Sequence, residues 1–456
     1  MPSRQDQLHS YQFMVQRVVA ALVMRETDPA QSPFRRAAGS TLASVLVAAI
    51  AVGGFAVYGA IRGSGGETFR DTNAVIIERE SGARYVYRDE KLHLVVNYTS
   101  ALMIVGSANP ETVLVSRSSI EGVPRGATLG IPEAPDSLPA AARLLGPPWT
   151  VCSTAAVGGP RSTLLVGGEP PDGTVLGAKA LLVQHPDGTV HLLWQNRRHL
   201  LRDRDLVLSA LGWSTMKPLL VAPALLNAVP TGADLARVPI AGVGGDSAVP
   251  GATVGEVFVV DTQGGARQFA VALRHGLAGI TQVQADLLLT SLRQDRPTVL
   301  TQGRFASIRK LPDLVPTDAA APPATTPELA GAASGALCAR MRDDSGDSEL
   351  RTGASAPAAA GGVAAPGVAA PGGGVDSVVV EPGRGAIVES SASPGATGGA
   401  LSLITDLGRR HPLTGTDVLS MLGYGGAKPT RLPSGLVSLV PPGAALDPEA
   451  ARTPVS

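Results

Sequence analysis

The chain has 456 residues, and its 38 Lys and Arg balance its 38 Asp and Glu, giving a formal net charge of zero. That balance offers no electrostatic handle for nucleic acid or acidic lipid, so no nucleic-acid partner is expected. Aromatics make up only 4% of residues, which leaves the cores to be built from Val, Leu, Ile and Ala.

The first predicted element is a helix in a segment 1–41. Leu8, Tyr11, Val15, Val18, Val19 and Leu22 recur at three- and four-residue steps and share one apolar stripe. Asp28-Pro29 and Ser32-Pro33 then break the helix. Its polar face has few basic residues for lying on a membrane, so docking onto a partner is the better reading.

Leu42 to Ile61 contain no charged side chain and are flanked by Arg35 and Arg36 before and Arg62 after. At about 1.5 Å per residue this stretch covers the roughly 30 Å of a bilayer core and predicts one transmembrane helix at 42–61. The long segment ahead of it does not fit a cleavable signal peptide. Arg25, Arg35 and Arg36 nearly balance Arg62, Arg70 and Arg79, so charge alone decides orientation poorly.

The two cysteines, Cys152 and Cys338, both follow the span. In an extracytoplasmic region such a pair reads as a disulfide, with two buried free thiols as the alternative. No further Cys or paired His stands near enough for a closed four-ligand metal site, and no metal is expected.

After the span the chain repeats itself. Arg197-Arg198-His199 is matched by Arg409-Arg410-His411, Leu211-Gly212-Trp213 by Leu422-Gly423-Tyr424, and Leu225–Gly232 by Leu436–Gly443, all at offsets of 211 or 212 residues. Looser copies occur at Ile120–Gly126 and at Leu311–Asp318. Paired β-rich runs flank turns at Ser81-Gly82, Asp187-Gly188 and Gly264-Gly265, which are hairpin signals. The recurring unit is a hairpin, a short helix and a Val-Pro turn.

Four such repeats are expected, at 62–126, 175–235, 236–320 and 376–445. The last opens on Ser377–Glu381. Residues 127–174 and 321–352 form a central body between them, 353–375 are a Gly/Ala/Pro linker, and 446–456 are a tail. The fold class is α+β.

Catalytic signatures are sparse. There is no Gly-Lys dipeptide and so no phosphate-cradling G-x-x-x-x-G-K-[ST], no G-x-S-x-G elbow, and no H-E-x-x-H helix. His199 and His411 occupy equivalent repeat positions, which favours a structural role. His185 and His191 flank one hairpin turn and read as solvated rather than as a metal pair. Asp203 and Asp205 sit at a helix start, where acids suit the N-terminal dipole. No catalytic residue and no cofactor are assigned.

Four segments together resemble the EccB family, the membrane-anchored core components of actinobacterial type VII (ESX) secretion systems. They are RQDQLHSYQFMVQRVVAALV with the Arg-flanked span, GIPEAPDSLP (Gly130 to Pro139), PWTVC ending at Cys152, and GALCA around Cys338. The resemblance implies a cytoplasmic N-terminus, one span of the inner membrane, and an elongated periplasmic region of four repeats around a central domain stapled by Cys152 and Cys338. It also implies assembly with EccC, EccD and EccE and with further copies of the chain. The Gly/Ala insertion departs from the family pattern. Some members are described as ATPases, so an ATP-hydrolysing subunit is one alternative to a scaffold; a membrane-tethered protein binding cell-wall polymer is the other.

Overall fold

The computed structural model describes residues 3–24, 33–63, 68–262, 265–331, 334–345, 347–355, 363–366 and 374–455. Two helices come first, Arg4–Met24 and Pro33–Gly63. Pro33 opens the second, at a position where its missing N–H costs nothing. Within it Ala38–Tyr58, 21 residues of mean hydropathy 2.1 and unburied, is long and apolar enough to cross a membrane. The helix extends beyond the expected 42–61 on both sides, since neither Arg35-Arg36 nor Arg62 interrupts helical backbone.

Four four-stranded sheets follow, all built alike. In the first, Ala74–Glu78 and Arg84–Arg88 form the antiparallel hairpin, and Lys91–Leu94 adds antiparallel to its second arm. Helix Tyr98–Val105 then crosses over, so that Glu111–Val115 lies parallel to the first strand. The second repeat uses Leu181–Gln184, Val190–Trp194, Arg197–Leu200, helix Arg204–Ala210 and Leu219–Leu220. The third uses Val257–Asp261, Arg267–Leu273, Gly276–Ile280, helix Gln282–Leu292 and Thr298–Val299. The fourth uses Ala386–Ser391, Ala400–Ile404, Arg410–Pro412, helix Thr416–Met421 and Thr430–Pro433.

Side-chain caps start three of the crossover helices: Asn97 and Asp203 accept from the third residue on, and Thr281 with Gln284 makes a capping box. The cap residue before Thr416 is Gly415, which has no side chain to offer.

Between the repeats lies a seven-stranded sheet whose strands come from distant parts of the chain. Trp149–Thr154 and Ala336–Met341 are antiparallel neighbours with Cys152 opposite Cys338, and a disulfide joins the two across 186 residues. In the chain-entropy model, closing such a loop stabilises by about 5 kcal/mol.

Three further features, all near the fourth repeat and the end of the chain, differ from the sequence reading. Ser377–Val380 does not open the fourth hairpin; it joins the central sheet parallel to Arg161–Leu165, because Val378 and Val380 are buried in that core. The fourth hairpin therefore begins at Ala386. Within 353–375, Val363–Pro366 forms a further strand beside Ser377–Val380, while 356–362 and 367–373 lie outside the described residues. The end of the chain is no loose tail: helix Pro448–Ala451 buries Ala451 completely, and the Val455 N–H donates to the Thr128 carbonyl at 2.9 Å.

Shared cores set the neighbours. Val75, Val86 and Met103 of the first repeat pack in one cluster with Leu403, Val418 and Leu446 of the fourth. Central Trp149 and Leu337 share another with Leu225 of the second repeat and Leu436 of the fourth. Val283 and Leu287 of the third repeat enter the core of the second. The spatial order is thus first, fourth, central sheet, second, third.

Candidate functional site

The repeats share one polar device. In each, the chain leaving the fourth strand turns through a short helix and runs back beside the third strand. The N–H groups of Leu92, Arg198, Leu277 and Arg410 donate to the carbonyls of Pro124, Pro230, Arg309 and Pro441, at 2.9 Å each. The Val-Pro turn of the third repeat is therefore not in Leu311–Asp318. Ile308-Arg309 takes its place, because the position supplies a carbonyl acceptor and proline is not required for that.

One residue further along the third strand stands His93, His199 or His411. Each imidazole meets a carbonyl through Nδ1, of Ala127 at 2.9 Å, Ala233 at 2.8 Å and Ala444 at 3.0 Å. The preceding glycines, Gly126, Gly232 and Gly443, lie against the rings so closely that a Cβ would overlap the imidazole. His199 is fully buried, and burial pushes its pKa and that of His411 below the ordinary imidazole value, partly offset by the carbonyl bonds. With Nδ1–H donating to a carbonyl, each ring is a clasp that holds the return segment. The third repeat has Ala278 here; its Gly279 N–H donates to the Asp313 carboxylate at 3.0 Å instead.

The segment Gly130–Pro139 is mortar between repeats. Asn97 Nδ2 donates to the Ile131 carbonyl at 2.8 Å, the Ile131 N–H to Ser100 Oγ at 2.9 Å, and the Tyr98 N–H to Asp136 at 2.9 Å. Arg84 pairs with Asp136 at 2.9 Å. From the fourth repeat, the Tyr424 hydroxyl donates to the Pro139 carbonyl at 2.7 Å. The segment thereby ties the first repeat's crossover helix to the fourth repeat.

The other sequence candidates do not build a site. His185 pairs with Asp187 at 2.8 Å in the turn, whereas His191 is buried in a strand with its pKa lowered by burial. Asp203 caps its helix and Asp205 lies in the first turn. Among the described residues, no group of three or more His, Cys, Asp or Glu is arranged to hold a metal ion. An open cleft of about 980 Å³ in the third repeat is lined by Val243, Glu256, Arg293, Arg296 and Val299, a mixed surface without converging reactive groups.

Exposed apolar surface is concentrated elsewhere. Leu8, Tyr11, Val15, Val18 and Leu22 are all exposed, from 44% for Val15 to 77% for Leu22. Phe13 and Met14 are exposed too, so the apolar surface is wider than one stripe. Arg35, Arg36 and Arg62 lie on the second helix outside its apolar stretch, and their side chains are outside the described residues. After the membrane helix every described aromatic side chain is buried or half-buried, and the exposed large apolar side chains there are aliphatic.

Known proteins share this architecture. The family model for type VII secretion system ESX-1, transport TM domain B, matches residues 1–455. A protein named ESX-3 secretion system ATPase EccB3, from Mycolicibacterium smegmatis, is 29% identical over 483 residues, covering 96% of this chain and 88% of that one. ESX-2 secretion system ATPase EccB2 of Mycobacterium tuberculosis is 32% identical over 299 residues, and the match covers 63% of this chain and 59% of that protein's length. The structure of an EccB3 dimer from the ESX-3 core complex superposes with a TM-score of 0.64 at 28% identity, covering 83% of this chain and 100% of that one. A chain of an intact ESX-5 inner membrane complex superposes with a TM-score of 0.67 at 24% identity over 100% of this chain and 96% of its own, which speaks to fold.

Proposed function

The chain belongs to the EccB family of type VII (ESX) secretion systems, and from that premise we propose that it is a scaffold and assembly subunit of such a complex in the inner membrane. The observation that carries the reading is where apolar surface is left uncovered. Two N-terminal helices expose theirs almost entirely, while the four repeats bury or half-bury their aromatics and share cores with their neighbours. Binding of cell-wall polymer, by contrast, would call for exposed aromatics in a groove.

The N-terminal stripe Leu8, Tyr11, Val15, Val18 and Leu22 is the docking face for cytoplasmic subunits, with EccC, EccD and EccE as its candidate partners. Arg35, Arg36 and Arg62 mark the two membrane boundaries, and the repeats lie outside the cytoplasm. The disulfide supports this orientation, since such bonds persist in oxidising compartments. A second copy of the chain is a further partner.

Relatives carry the word ATPase in their names, yet this chain has no Gly-Lys of a P-loop. Affinity purification from native membranes followed by mass spectrometry tests the proposal: EccC, EccD and EccE should co-purify with several copies of the chain. Recovery of the chain alone at normal expression would overturn it. ATP turnover that follows the chain through purification, after contaminating ATPases are removed, would replace the scaffold with an enzyme.

A further inference from the structure

One edge of the central sheet is closed by a strand from the Ala/Gly/Pro stretch. Val363–Pro366 runs antiparallel to Ser377–Val380, with Val363 opposite Val380 and Ala365 opposite Val378. On its other side Ser377–Val380 pairs with Arg161–Leu165, and the Val379 carbonyl accepts the Val166 N–H at 3.0 Å. The N–H and C=O of one strand residue point the same way. Val379 therefore serves the inner ladder, and Val378 and Val380 aim their backbone groups at the outer strand.

The two strands differ sharply in quality. Val378, Val379 and Val380 are β-branched, and Val378 and Val380 are fully buried. The outer strand has two alanines and a proline without an N–H, and its flanks 356–362 and 367–373 are Ala, Gly and Pro apart from one Val. Such residues are poor strand formers. A weak strand thus covers a strong edge.

We propose that Val363–Pro366 is a displaceable cover, and that the edge beneath it, Ser377–Val380, pairs with the same edge of a second copy of this chain when the cover lifts. An uncovered row of backbone groups is a template for another strand. Two-fold antiparallel pairing centred on Val379 sets Val378 of one copy opposite Val380 of the other, so the outward groups satisfy each other. The run contains no charge and no proline. Asp376 and Glu381, which bound it, are engaged by Arg161 at 3.1 Å and Arg384 at 2.8 Å, and this register sets neither against a like charge.

The test uses the full chain in detergent. Val363→Pro with Ala365→Pro removes the two N–H groups facing Val380 and Val378 without changing chain length. The particle mass by light scattering should double relative to the unaltered chain. Adding Val379→Lys places two ammonium groups together at the two-fold and should return the mass to that of the unaltered chain. An unchanged mass in the double-proline variant, or a doubling that survives Val379→Lys, overturns the pairing. Hydrogen exchange on the unaltered chain tests the cover itself: the Val378 and Val380 amides should exchange about ten-fold or more faster than those of Val151 and Ala339. Equal rates would mean that the cover opens only with the whole sheet, and would reject it.

Discussion

At single residues, the most telling pair is Gly232 with His199. Gly232 has no left-handed backbone to justify it; the imidazole lying where its Cβ would be is the reason for glycine. Gly232→Ala should therefore destabilise the chain by overpacking, by roughly 1–3 kcal/mol. In a His199→Ala background the same change should cost much less, as read from denaturant midpoints. Additive costs would mean that the ring is not the obstacle. The clasp also gives pH dependence. Burial lowers the pKa of His199 and His411 in the folded chain, so between that value and the unfolded value of about 6.5 the unfolded chain binds more protons. Stability is then present above the unfolded pKa and is lost as pH falls through about 6.5 toward the folded value. Melting should occur at lower temperature at pH 5.5 than at pH 7.5, and His199→Gln with His411→Gln should reduce that difference, leaving the part owed to buried His191; an unreduced slope would assign it to other groups. His199 and His411 were legible as equivalent positions. His93 was not, although its carbonyl partner lies 34 residues on, as for His199, because the first repeat lacks the Arg-Arg that marks the other two.

At the level of elements, hairpins with glycine turns could be read directly, as at Gly82 and Gly188, where φ is 71° and 96°. The third strands of the first two repeats could not. They follow turns at Asp89-Glu90 and Gln195-Asn196, whose positive φ values of 48°, 58°, 44° and 60° are carried without glycine. The terminal helix Pro448–Ala451 escaped for another reason: four residues are too few to display a period. Its contribution lies in a small face, with Ala451 fully buried in the core shared by the first and fourth repeats. Ala451→Asp would force a carboxylate into that seam, where burial of an unpaired charge costs several kcal/mol unless the site opens. Hydrogen exchange should then accelerate in Tyr98–Val105, while Trp149–Thr154 and Ala336–Met341 keep their protection. Unchanged exchange in Tyr98–Val105 would mean the terminal helix merely rests on the surface.

Across the whole molecule, local pattern stops short of tertiary order. Residues 149–154 and 336–341 carry no mutual signal except their cysteines, and nothing in a repeat's own sequence says that the first packs on the fourth. What composition does reveal is the asymmetry between a self-contained body and two helices with uncovered apolar surface. Among the described residues, Leu8, Tyr11, Val15, Val18 and Leu22 enter no core. Val15→Asp with Val18→Asp would place two carboxylates in the middle of that face, a change costing several kcal/mol if a partner buries it. The body formed by the repeats has its own cores and its own disulfide, so its melting and its Cys152–Cys338 bond should be untouched. Recovery of partner subunits from native membranes should fall at least ten-fold while the variant still reaches the membrane in normal amounts. Full recovery of the complex would remove the stripe from the assembly contacts and shift them to the membrane helix or to the repeats. A variant absent from the membrane would instead point to a role in insertion, separable by measuring membrane-extracted protein before the pull-down.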